Sequence, residues 1–221
     1  MGVQDDLSGA AGFAPRVSTP RGGRCAPESP RMTWLIACEC SGRVRDAMLA
    51  EGIDAVSCDL FPSETDGPHI IGDVTKHLQR RWAGVIAHPP CDYLANSGVR
   101  WRVERNEWVE VARGAEFFLA CLNANAPMVA VENPVMHGHA RSLIGRGPDF
   151  TVQPWMFGDN FKKRTCFWVR GLPRLHRTSD LDGSTAVAAC HLEAPSPDRK
   201  RNRSRTYPGL ARAIARQWGS A

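Results

Sequence analysis

In Ala83-Gly84-Val85-Ile86-Ala87-His88-Pro89-Pro90-Cys91-Asp92, an apolar run of strand length is stopped by two consecutive prolines, neither of which can donate to a β-ladder. A cysteine is thereby presented at a strand end. In an open α/β sheet the ligand crevice lies at the carboxyl ends of the strands, so a thiol held there on a stiff loop is placed to act as a nucleophile. The same residues would also suit a rigid turn around an inert, half-buried cysteine.

The flanking sequence repeats the pattern. Downstream, Asn106 to Asn123 has helical length, with apolar Val109, Ala112, Phe117, Leu119 and Leu122 and Gly114 as its one break. It leads into Met128-Val129-Ala130-Val131 and then Glu132-Asn133-Pro134. Strands joined by helices run parallel, so Glu132 is expected at the sheet edge that carries Cys91, although a lone acid there also fits a solvated loop. Upstream, the strand-like Trp34 to Cys38 is followed by Glu39-Cys40-Ser41-Gly42 and a helical stretch from Arg43 that Gly52 stops. Ala55 to Cys58 reads as a second strand ending at Asp59, about where nucleotide-binding folds place an acid for ribose hydroxyls. Ile70-Ile71-Gly72-Asp73-Val74 and a short helix near Lys76 to Arg81 complete a third unit.

The chain has 221 residues and 43% hydrophobic content, which suits one sizeable core and excludes a disordered or fibrous protein. The formal charge of +5 is compatible with a polyanionic partner such as nucleic acid without requiring one. Eight cysteines are scattered too widely for a small disulfide scaffold, and no apolar leader or run of membrane-spanning length occurs. A cytoplasmic setting without a membrane partner is expected. Cys38-x-Cys40 and Cys190-His191 lack partners at zinc-site spacing, so no structural metal is expected. Residues 1–31, rich in Gly, Pro, Ser and Arg and without periodicity, read as a disordered leader, and residues 32–221 as a single domain. Met32, directly ahead of the first strand, is a candidate translation start.

Towards the C-terminus, Lys162-Lys163-Arg164 feeds the strand-like Thr165 to Val169, and Gly171 to about Pro197 shows no periodicity. The charge run Arg199 to Arg205 reads as a solvated loop that could hold phosphates. Pro208 to Trp218 is helical, with Leu210, Ala211, Ile214, Ala215 and Trp218 on one face.

In this order, the residues from about Trp34 to Trp218 resemble the DNA cytosine-5 methyltransferase family, particularly its short phage and prophage members. The resemblance implies an α/β, Rossmann-like, S-adenosylmethionine-dependent methyltransferase sheet flanked by helices. It puts Ala37 to Gly42 in the place of the cofactor-binding turn, where the family usually has more glycine. Asp59 and Asp73 fall where acids hold the ribose and the adenine amino group. Cofactor contacts are thus implied for Cys38, Glu39, Ser41, Gly42, Asp59, Asp73 and Pro89. Pro90-Cys91 matches the family's catalytic Pro-Cys, Glu132-Asn133 its Glu-Asn pair, and Lys162 and Arg164 its basic pair before a strand. The implied catalytic residues are therefore Cys91, Glu132, Arg164 and Lys162. Pro90, Asn133, Arg201 and Arg203 are the expected substrate contacts, with DNA as the partner.

The implied chemistry explains the set. Carbon 5 of cytosine is too weak a nucleophile to attack a methylsulfonium directly, so the Cys91 thiolate, its pKa lowered by neighbouring N–H groups and basic residues, would add at carbon 6 and turn the ring into an enamine-like species. Glu132 would hydrogen-bond N3, which asks for a carboxyl raised by partial burial, and Arg164 or Lys162 would steady the developing charge. Methyltransferases of exocyclic amines are the nearest competing class, but His88 and Cys91 stand where those enzymes carry an Asp or Asn and an aromatic ring. A methyltransferase-fold binding protein without activity is the reading from another class. Only residues 171–207 are available as a recognition segment, enough to touch phosphates and too short to read a long site. A short or lax DNA target is expected, with a free pyrimidine nucleotide as the alternative substrate.

Overall fold

The structure, a computed structural model, describes residues 32–188 and 193–219. The expected leader, residues 1–31, and the pair Cys190-His191 lie outside the described residues. Strands β1 (Trp34–Ala37) and β4 (Gly84–Ala87) are buried at every position. A strand covered on both faces has no polar side to alternate with, which is why both read as unbroken apolar runs. Strands β2 (Ala55–Asp59), β3 (His69–Ile71), β5 (Met128–Asn133), β6 (Phe150–Val152) and β7 (Thr165–Arg170) join them. Together they form a seven-stranded sheet in the order β3-β2-β1-β4-β5-β7-β6. The first five strands pair in parallel, while β7 runs antiparallel to β5 and β6 antiparallel to β7.

From β1 the chain moves through β2 to β3, then returns to lay β4 on the other side of β1. Such a reversal opens a crevice at the carboxyl ends of the two central strands. The His88 N–H donates to the Ala37 carbonyl at 2.9 Å and ties those ends together. The α/β, Rossmann-like sheet expected from the sequence is thus the observed one.

Helices cover both faces. Helices α1 (Arg43–Ala50), α2 (Thr75–Leu78), α3 (Val99–Glu104), α4 (Trp108–Leu122), α5 (Gly138–Ile144), α6 (Arg199–Ser204) and α7 (Pro208–Trp218) are described. On one face Leu35, Val85, Val131 and Trp168 pack with Leu78, Phe118 and Ala140 of α2, α4 and α5. On the other Ile36, Ile86, Ala130 and Phe167 pack with Val44 and Met48 of α1 and with Ile214 and Trp218 of α7. Trp168 meets Phe118 edge-on at 5.0 Å and Trp218 meets Phe167 edge-on at 5.5 Å, contacts worth about 0.5–1.5 kcal/mol each beyond the area they bury.

The secondary structure departs from the sequence reading in three places. Helix α4 buries Val111, Ala115, Phe118, Cys121 and Leu122, while Val109 is exposed. Its apolar residues run almost all the way round, so periodicity alone singles out the wrong stripe. The charge run Arg199 to Arg205 is largely the helix α6, because acids from two loops neutralise it. Helices α3 and α5 and strand β6 have no sequence signal strong enough to announce them. No described helix is long and apolar enough to cross a membrane.

Candidate functional site

Two stretches of the sheet's carboxyl edge carry the expected site residues. The first lies over β1, β2 and β3. Cys38 has left-handed backbone (φ 58°), which turns the chain sharply out of β1. Its thiol is pushed well above the ordinary value by a hydrogen bond with Cys121, by burial and by the charge of Asp59. Glu39 is 5% exposed. Its Oε1 accepts from the Val44 N–H at 2.7 Å and from Ser41 Oγ at 3.3 Å, and its Oε2 accepts from the Arg45 N–H at 3.2 Å. The carboxylate therefore satisfies the otherwise orphaned donors of the first turn of α1. Gly42 (φ 71°) is needed for space as well as conformation: a Cβ there would lie 2.1 Å from Thr65 Oγ1 and 2.5 Å from Arg45 Nη2. Arg45 is fully buried and donates to Ser57 Oγ at 3.0 Å, Ser63 Oγ at 2.9 Å and Thr65 Oγ1 at 2.6 Å. Glu39 and Gly42, implied as cofactor contacts, are built into the support of the turn.

The two aspartates are more accessible. Asp59 Oδ1 accepts from the Phe61 N–H at 3.0 Å. Asp73 is exposed, and bonds from the backbone and hydroxyl of Thr75 hold its carboxyl below the ordinary value. The Asp59 carbonyl accepts from the Gly72 N–H at 2.8 Å, which brings the ends of β2 and β3 together. Leu60, Phe61 and Ile71, within two residues of these acids in the chain, are 70%, 67% and 64% exposed. Asp59 and Asp73 thus stand as accessible acids beside an uncovered apolar surface, a combination that could hold a group with both polar hydrogens and an apolar face.

The second stretch lies over β4 and β5. Ala87 is in register with Val131, so the next residues of these parallel strands, His88 and Glu132, are neighbours. His88 Nδ1 lies 3.3 Å from Glu132 Oε2. Pro89 is buried, Pro90 exposed and Cys91 half-buried. Asn133 is fully buried and donates through Nδ2 to the Pro89 carbonyl at 3.3 Å, so it braces the cysteine loop from below and offers no surface to a substrate. The residue expected as a substrate contact is thus found inside the loop's support in the free protein.

The electrostatics differ from the sequence expectation on both key groups. Burial pushes the Glu132 carboxyl up, but the His88 hydrogen bond and the charges of Lys163 and His88 outweigh it, and the group sits below the ordinary carboxylate value. The Cys91 thiol is raised: burial and the charges of Glu132 and Asp92 push it up, against a smaller opposing effect of Lys163. The free protein thus holds a carboxylate and a thiol, the reverse of the neutral acid and activated thiolate expected from the sequence.

Lysine placement follows from register. Glu132 pairs with Phe167 across β5 and β7, and alternation puts Thr165 and Lys163 on the same side. A narrow cleft is accordingly lined by His88, Glu132, Lys163 and Thr165, with Thr206 and Tyr207 on its far wall. Lys162 instead donates to the Ser184 carbonyl at 3.4 Å, and Arg164 is exposed near Cys166. The cation brought to Glu132 is therefore Lys163, not Lys162 or Arg164. His88 and Lys163 were missed by sequence reasoning, because only strand pairing reveals which residues share a face.

Helix α6 spans the two stretches. Arg201 and Arg205 both bind Glu64, in the loop after β2, the latter at 2.8 Å. Lys200 pairs with Asp92, next to Cys91, at 2.8 Å. The Arg205-Thr206 turn is clamped in the same way, Lys163 Nζ donating to the Arg205 carbonyl at 3.2 Å and Arg43 to the Thr206 carbonyl at 3.1 Å. Arg203 forms no ion pair among the described residues. Neither grouping resembles a metal centre: among the described residues no cluster of three or more His, Cys, Asp or Glu could hold an ion.

No protein-family profile and no curated protein matches the sequence. Among solved structures, the chain is similar to the Entamoeba histolytica methyltransferase EhMeth, with a TM-score of 0.43 and 14% identity over 68% of this chain and 58% of that one. The chain therefore matches less than two thirds of that protein's length.

Proposed function

We propose that this chain transfers a methyl group from S-adenosylmethionine to carbon 5 of cytosine in DNA, at a short or lax target. The observation that supports this most is the pairing of a proline-braced thiol, Cys91, at the end of β4 with a largely buried carboxyl, Glu132, at the end of the adjacent parallel β5. Cofactor contacts fall to Asp59 and Asp73. When bound there, the cofactor supplies an electrophilic methyl group on sulfonium. The Cys91 thiol gives its proton to solvent, and the thiolate adds to carbon 6 of the base and raises the electron density at carbon 5; Glu132 donates a hydrogen bond at N3; Lys163 steadies the charge that builds on the ring. Loss of the carbon 5 proton after methylation releases Cys91.

A covalent adduct with 5-fluorocytosine DNA tests the reading directly, since fluorine cannot leave as a proton and the cysteine stays attached. Cys91→Ser is expected to abolish the adduct and to cut methyl transfer by about 10⁴-fold or more, as for loss of a nucleophile, while cofactor affinity is retained. Full turnover by the serine variant would remove Cys91 from the mechanism.

One observation favours the second substrate. Lys200 and Arg201 of α6 and Arg205 just after it are already engaged by Asp92 and Glu64, so fewer cations of this run are left for a long phosphate backbone. A free cytosine nucleotide would need fewer. Labelled cofactor offered in parallel to duplex DNA, single-stranded DNA and deoxycytidine nucleotides separates the two, and label on none of them would favour a binding protein without activity.

A further inference from the structure

We propose that His88 is the proton carrier for Glu132, a positioning residue that makes the carboxyl neutral when a base is bound and takes the proton back when it leaves; this rests on the cytosine carbon 5 reading above. A histidine at this place is not demanded by the sheet, and its surroundings indicate a use. Its side chain is 9% exposed, its Nδ1 lies 3.3 Å from Glu132 Oε2, and its Nε2 is buried without a hydrogen-bond partner. A buried ring nitrogen left unsatisfied is destabilising, so its retention asks for an explanation. The ring lines the cleft shared with Lys163, Thr206 and Tyr207.

The chemistry supplies the reason. Glu132 can donate to N3 only as a carboxylic acid, yet the free protein holds it ionised. A proton must therefore arrive with the substrate, and the adjacent donor is Nδ1. In the imidazolium form the Nδ1–H bond breaks, its electron pair stays on Nδ1, and an Oε2–H bond forms. An ion pair becomes two neutral groups, while Nε2 keeps its hydrogen. Departure of the methylated base reverses the transfer, so no proton is consumed. Placing a base over the pair also removes water, which favours the neutral arrangement. The charged and titratable groups facing the pair are Lys163 ahead of β7, Cys166 within β7, Tyr207 at the start of α7 and Cys91 on the loop beyond His88.

Two variants separate the hydrogen bond from the proton. In His88→Asn the amide nitrogen can occupy the place of Nδ1 and donate to Glu132 without being able to give up its proton; His88→Gln reaches the place of Nε2 and leaves Glu132 without its donor. The Glu132 carboxyl is followed in the full chain by ¹³C NMR, its signal assigned by loss in Glu132→Gln, and single-turnover methylation of cytosine DNA is measured across pH. In His88→Gln the Glu132 midpoint is expected to rise by about one pH unit, whereas in His88→Asn it stays low. Both variants should methylate about 10²-fold more slowly, with the deficit widest at high pH, where solvent protons are scarce. A purely structural histidine would lower the rate evenly at all pH values. In the unmutated protein the ¹⁵N signal of His88 Nδ1 should follow the Glu132 titration, a readout that survives if neither variant folds. Wild-type rates and pH dependence in His88→Asn, or an Nδ1 signal indifferent to Glu132, would overturn the relay and leave the methylation reading standing. A coupled titration in a protein that methylates no cytosine substrate would overturn the methylation reading and leave the proton pair.

Discussion

Glu39 and Glu132 each lie at the carboxyl end of a strand in the same parallel set, and the protein holds them in opposite ways. Both oxygens of Glu39 accept from α1 and its turn, from the Val44 and Arg45 N–H groups and Ser41 Oγ. Glu132 faces one histidine across 3.3 Å, with a lysine beside it and a half-buried thiol within its field. The first carboxylate is saturated by backbone donors that never leave. The second is balanced by groups that can give or take a proton. A buried acid becomes structural when its partners are amides and chemical when its partners titrate.

Exchanging the two acids for uncharged residues is the sharpest way to break that contrast. Glu132→Gln should lower methyl transfer by about 10²- to 10⁴-fold, the usual range for loss of a positioned acid, with a small change in the unfolding midpoint. Glu39→Ala should do the opposite in kind: removal of a buried carboxylate that satisfies helix donors is expected to cost about 2–3 kcal/mol of stability, read by denaturant unfolding. Equal effects of the two changes on stability would erase the distinction.

Asp59 extends the comparison along the Glu39 edge, since it and Asp73 are the acids there that remain accessible. Asp59→Ala is expected to weaken S-adenosylmethionine binding by about 1–3 kcal/mol in calorimetry, the range for losing a charged hydrogen-bonding partner. Unchanged affinity would place the cofactor elsewhere.

The smallest effect is in the free thiol. Because burial and the charges of Glu132 and Asp92 raise Cys91, its thiolate is scarcer at neutral pH than that of an ordinary cysteine. Alkylation by iodoacetamide should therefore be slow at pH 7 and climb through a midpoint above the ordinary thiol value. Glu132→Gln removes one of the negative neighbours, so the midpoint moves to lower pH and the rate at a given pH rises. Cys58 and Cys166, pushed up to about 11 chiefly by burial, should react later still. An unshifted Cys91 midpoint in the glutamine variant would mean that its thiol does not feel Glu132.

Much of this molecule is legible in one dimension. The unbroken apolar runs of β1 and β4 declare strands covered on both faces, the paired prolines mark where the second one stops, and Pro208 and the apolar stripe to Trp218 mark the last helix. These are local facts: strand burial, proline geometry and helical period act through residues close in the chain. They also carry Cys91 and Glu132 to one edge, because strands joined by helices must run parallel. What each side chain does at that edge is a matter of register and of long-range partners. Lys163 rather than Lys162 or Arg164 reaches Glu132 because β7 pairs antiparallel with β5 in one register, and a slip by one residue would exchange them. Asn133 became a brace, and the run from Arg199 a helix held by Glu64 and Asp92, through contacts between residues far apart in sequence. The ionisation of Glu132 and Cys91 was likewise decided in three dimensions, since burial and the field of neighbours set it and neither is a property of the residue alone.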